Sequence, residues 1–173
     1  MSSAMLLVMD QMWRTVVGSQ FEVAIEMLGN ALRDCPDELW KETLWDDPSM
    51  PGFSEFWYVA YHALFWLDFY LSSSSEGFVP PAPFTLGELD PGVLPPRVYT
   101  RNELQGYLAH NFEKCRMTLK SLTDEQAQRT HRIGSGRRAI PFAELILYNM
   151  GHVREHAAQL SMFLGQRSGS ASS

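Results

Sequence analysis

A chain of 173 residues is long enough for one domain with a real core and too short for two comfortable ones. Hydrophobic residues make up 45% and charged residues 20%, an ordinary globular composition that excludes a largely disordered chain. The formal net charge of -6 repels phosphate backbones and argues against nucleic-acid binding; Arg137 and Arg138 are the densest basic pair.

The first ten residues lack a positively charged start and their short apolar run ends at Asp10, so a signal peptide is not expected. Apolar residues at three- and four-residue steps (Leu6, Met9, Trp13, Val17, Ala24, Met27, Leu28, Ala31) predict a helix from about Met5 to Arg33. Pro36 stops it. A connector, Pro36 to Gly52, carries Trp40 and Trp45 as expected covers for the core. A second helix is predicted from about Ser54 to Leu71. It is very apolar but contains His62 and Asp68 and is shorter than the roughly 20 residues needed to cross a bilayer, so it reads as a buried helix.

From Ser72 to Tyr99 the chain is irregular and holds six of the ten prolines. Such length is unusual in a compact domain. It fits a crossover that returns the full length of a helix, leaving the second and third helices parallel. Phe78, Val79, Phe84 and Leu86 are expected to pack that crossover onto the core. Thr100 followed by Glu103 spells a capping box and starts a third helix that runs to about Leu122. Thr123 to Arg138 reads as a loop with room for a hairpin around Gly134-Ser135-Gly136. A fourth helix starts near Pro141 and runs to Leu164, with Gly165 as its C-cap. Residues 167–173 read as a disordered polar tail and residues 1–166 as one domain. The fold class expected is all-α, a four-helix bundle.

Five histidines are present: His62, His110, His131, His152 and His156. His152 and His156 are four apart, so on a helix both imidazoles lie on one face and can reach one metal ion. An HxxxH pair alone is common on helix surfaces. The additional signal is His62, which sits mid-helix among Tyr58, Tyr61, Phe65, Trp66 and Phe69, where a buried imidazole needs a partner. Three imidazoles suit zinc, nickel or iron, and three protein ligands leave a position open, as in catalytic sites. His110 and His131 are given no site role, the first at a helix surface and the second in a loop. Asp68 points about 120° away from His62 on the helical wheel, and Glu55 lies two turns off, so neither is a good further ligand. Tyr58, Trp66 and Tyr148 are candidates to line a pocket. Gln159 continues the His152/His156 stripe and is a candidate hydrogen-bond partner near the site.

The stretches FWYVAYHALFWLDFYLS (Phe56 to Ser72) and FAELILYNMGHVREHAAQLSMFLGQ (Phe142 to Gln166), with the proline-rich crossover and the capped helix YTRNELQGYLAHNFEKC (Tyr99 to Cys115), resemble the DinB-like superfamily. The resemblance spans roughly Met5 to Gln166. It implies an up-down-down-up four-helix bundle with a divalent metal on His62, His152 and His156. Members with assigned roles include transferases and isomerases that use low-molecular-weight thiols, so a metal-dependent thiol S-transferase, taking a thiol and an electrophile, is the reaction expected. A small metal-dependent hydrolase and a non-enzymatic metal- or ligand-binding bundle are the alternatives. The family is often dimeric, and the first two helices carry enough apolar surface for a homodimer. Two isolated cysteines, Cys35 and Cys115, read as reduced thiols in a cytoplasmic protein.

Overall fold

The sixteen residues Phe56–Leu71 form the centre of the molecule. They include no Gly or Pro and bury nearly every side chain, as expected of a helix that is apolar all round. The computed structural model describes residues 3–72, 76–133 and 138–170. Over these the chain is mostly helical: α1 (Ser3–Asp34), α2 (Phe56–Leu71), α3 (Arg101–Ser121), the short α4 (Asp124–Gln128) and α5 (Phe142–Ser170). α1 packs on α3 and α5, and α2 packs on the same two helices.

α2 is held by hydrogen bonds as well as by burial. Asn111 on α3 donates its side-chain amide to the Leu64 carbonyl (2.9 Å), and Asn149 on α5 donates to the Leu67 carbonyl (3.1 Å). Asp68, 1% exposed, accepts from the Tyr107 hydroxyl (3.0 Å) and from the Lys114 ammonium, both on α3. The α2 residues that escape full burial are His62, Trp66 and Phe69. Their spacing puts them on one helical face.

Both long connections are tied down. Backbone bonds from Leu44 to Ser54 (2.8 Å), Phe56 to Glu42 (2.9 Å) and Trp57 to Trp40 (3.1 Å) fold the connector back on the start of α2. Trp40 is buried and donates to the Tyr99 carbonyl (2.9 Å), whereas Trp45 is 44% exposed and does not cover the core. In the crossover, Phe84 stacks on Tyr107 (4.3 Å) and Tyr61 (5.9 Å), and Phe78 meets Phe65 and Phe69 edge-on. Val79 and Leu86, expected to pack, are exposed. Gly52 has φ +88°, and a Cβ there would stand 2.9 Å from Leu94, so crossover and connector meet where only glycine fits.

Three local expectations change. The segment after α3 is not wholly a loop. It contains the helix α4, which was not expected, and an antiparallel pair, β1 (Thr130–Ile133) with β2 (Arg138–Pro141), on the two sides of the expected hairpin turn, so the fold is not purely helical. His131 lies in β1 with its ring 4.9 Å from Phe142; the Gly134–Gly136 turn lies outside the described residues. Gly165 does not cap the last helix. α5 continues to Ser170, into the expected tail, because Arg167 lies over the Phe163 ring (5.1 Å) and pairs with Glu42 (3.6 Å), bracing both sides of the glycine. Residues 171–173 lie outside the described residues.

The capping box at α3 forms as expected, with both the Thr100 and Glu103 side chains engaged. Thr100→Ala should therefore lower stability by about 1 kcal/mol in urea denaturation. The Arg97 guanidinium and the Thr100 amide hold the Glu103 carboxyl down at about 2, from an ordinary 4.5. A lowered folded-state value means a stabilising contribution that is complete above about 4.5 and lost as pH falls toward about 2. Glu103 is near the surface, so that contribution is modest.

Candidate metal centre

α2 brings His62 and α5 brings His152 and His156 to one place. One nitrogen from each ring can be chosen so that all three lie within 4.8 Å of one another. The His152 and His156 Nε2 atoms are 3.1 Å apart. Two nitrogens each about 2.0–2.1 Å from a common ion are necessarily less than about 4.2 Å apart, and this pair meets that limit.

Hydrogen bonds orient two of the rings. His62 Nδ1 is 2.6 Å from Glu88 Oε1; a carboxylate only accepts, so Nδ1–H donates and Nε2 keeps its lone pair. His156 Nδ1–H donates to Gln159 Oε1 (2.8 Å), again leaving Nε2 with a lone pair. His152 Nδ1 is buried without a partner among the described residues. Burial, reinforced by His156 and His62, pushes the His152 imidazole down to about 3. Burial, with His62 beside it, lowers His156 as well. Neutral imidazole is the form that binds a metal. A set of three such rings, two with the far nitrogen anchored, fits a zinc, nickel or iron ion.

Glu88 has no counterpart in the sequence reading. It lies in the turn Leu86–Leu89 of the crossover, whose start Thr85 caps by accepting from the Gly87 amide. Its side chain is 3% exposed, and the Tyr58 hydroxyl also donates to it (3.0 Å). No spacing rule would pair residue 88 with residue 62. The signal available was an acidic residue between Leu86 and Leu89, in a segment expected to lie on the core.

A cavity of about 320 Å³ opens against His62 and His156 and is lined mainly by aromatic and apolar side chains. Tyr58 and Trp66 line it, the Trp66 ring 6.2 Å from His62. Trp45, Met50 and Phe53 of the connector also line it and were not anticipated. Tyr148 is 44% exposed and contacts the Tyr70 ring (5.7 Å), outside this lining. Glu55 accepts from the Trp57 indole (2.6 Å) and Asp68 is committed to α3, so neither reaches the histidines. His110 is half exposed, 3.5 Å from Asp68. A larger cavity of about 480 Å³ lies at the C-terminal end of α2, beside Lys114 and His131, and touches none of the three histidines. Burial pushes the Cys35 and Cys115 thiols up to about 12, so both stay protonated at neutral pH and neither is a ready nucleophile.

No curated protein and no solved structure matches the chain. A family model, that of the DinB superfamily, matches residues 20–160. A histidine on one helix, an HxxxH pair on another and a family match covering most of the sequence agree: the chain belongs to the DinB superfamily.

Proposed function

We propose that this protein is a metal-dependent thiol S-transferase built on an up-down-down-up four-helix bundle, with zinc, nickel or iron held by His62, His152 and His156. The observation that carries the reading is the convergence of three ring nitrogens within 4.8 Å, with His62 braced by a buried glutamate. A divalent ion held there would supply a Lewis acid able to keep a thiol ionised at neutral pH. Glu88 fixes the tautomer and angle of His62, and Gln159 does the same for His156. Tyr58 holds Glu88 in place by donating its hydroxyl, and burial favours that neutral, donating form of the tyrosine. The aromatic cavity receives the organic part of the thiol or of the electrophile beside the ion. Both cysteines are buried, so in this reading the nucleophilic thiol belongs to the substrate and not to the protein.

Two buried free thiols support a reducing, cytoplasmic setting, and no described helix is long and apolar enough to cross a membrane. Exposed Met12, Val16 and Val23 on α1 support a homodimer. The reading is tested by turnover of model electrophiles with and without added thiol. Thiol-dependent conversion supports the transferase; thiol-independent hydrolysis supports the hydrolase instead; no conversion by metal-loaded protein leaves a binding bundle. Glu88→Ala should lower zinc affinity about 10- to 100-fold in a competition titration against a chelator. Unchanged affinity would show that Glu88 does not brace a ligand.

A further inference from the structure

The cavity beside the histidines is unusual in its charge. Trp45, Met50, Phe53, Tyr58, Val59 and Trp66 form most of its wall. Its charged lining residues are Asp47 and Glu88, and among the described residues that line it there is no Lys or Arg. Glu88 accepts from both His62 and Tyr58. Asp47 accepts from the Ser49 hydroxyl (2.6 Å) and amide (3.1 Å), which hold its carboxyl below the ordinary range. The rim continues the same character: Trp45 and Met50 are partly exposed, and Leu94 of the crossover closes against Gly52, next to Phe53.

We infer that this cavity takes the uncharged, apolar part of a ligand, an aryl or branched alkyl group joined to a single donor such as a thiol, and disfavours ligands with a carboxylate on that part. The inference rests on the metal reading above and narrows its substrate class. A flat aryl group meets the faces and edges of Phe53, Tyr58 and Trp66 and leaves no polar group unpaired. A carboxylate on that part, held away from an ion on the histidines, finds no Lys or Arg among the described lining residues and faces Asp47 and Glu88. Peptide-like thiols with several ionised groups fit this wall poorly.

The test uses untagged, zinc-loaded protein, with zinc content measured first. Phenylmethanethiol and 4-(mercaptomethyl)benzoate present the same donor on the same ring and differ by one carboxylate. Calorimetry and tryptophan fluorescence should give at least about tenfold tighter binding of the uncharged thiol. Met50→Lys changes a rim residue that is 39% exposed and so keeps the fold. It should tighten benzoate binding and shrink the ratio at least about threefold. Equal or tighter binding of the benzoate by the parent overturns the inference, as does a ratio that Met50→Lys leaves unchanged. Binding of neither thiol by protein that holds about one zinc per chain overturns it too and leaves the metal reading intact. Failure of the parent to hold zinc overturns the metal reading and the inference together.

Discussion

Replacing His156 with alanine should reduce affinity for zinc or nickel by more than the 10- to 100-fold typical of losing an outer-shell partner, with α5 still formed. His156 contributes one of the two Nε2 atoms that stand 3.1 Å apart, and the Gln159 bond spends its other nitrogen. Removing the ring leaves two imidazoles on different helices. The affected stretch of α5 is long, and Val153, Ala157 and Leu160 bury the face next to His156, so alanine keeps the helix. Chelator competition gives the affinity and far-UV circular dichroism the helix content. A variant that binds as tightly as the parent would remove His156 from the ligand set.

The largest stability effect is expected at Lys114. Its ammonium donates to Asp68 and to Ser72 Oγ (2.8 Å), and Asp68 is 1% exposed. Lys114→Met strips a buried carboxylate of its cation. Removing one partner of a buried pair costs about 3–5 kcal/mol; the Lys114 side chain keeps 26% exposure, so the lower end, about 3 kcal/mol, applies. Adding Asp68→Asn to Lys114→Met should restore much of the loss, because the charge is gone while the Tyr107 hydroxyl still finds an acceptor. Urea denaturation measures both. A single variant within about 0.5 kcal/mol of the parent would mean that the pair does not stabilise α2 against α3.

The long helices were legible because their signals are local. Buried positions of α1 such as Val17, Ala24, Leu28 and Ala31 fall on the apolar stripe, and Thr100 with Glu103 marked the start of α3. The HxxxH pair was legible for the same reason, since four-residue spacing on a helix is geometry. His62 needed its apolar surroundings to stand out.

What was missed depends on tertiary contact. Glu88 reaches His62 only because Phe84 wedges between Tyr61 and Tyr107 and sets the following turn against α2. Trp45 seemed a core residue by size, but the backbone bond from Leu44 to Ser54 folds the connector so that Trp45 lines the cavity. The β1–β2 hairpin was signalled by its glycine-rich turn alone, because two four-residue strands of mixed polarity are too short to show alternation. Gly165 carries the ordinary sign of a helix end, and it is overruled by Arg167 reaching back to Phe163 and across to Glu42.

The measurement that bears most directly on the metal centre is elemental mass spectrometry of untagged protein, as purified and after incubation with zinc or nickel followed by desalting. About one ion per chain is the predicted result, as expected for a single three-histidine site. Protein that retains no metal after both incubations would contradict the metal centre, and the three histidines would then be a buried polar cluster at the edge of an apolar cavity.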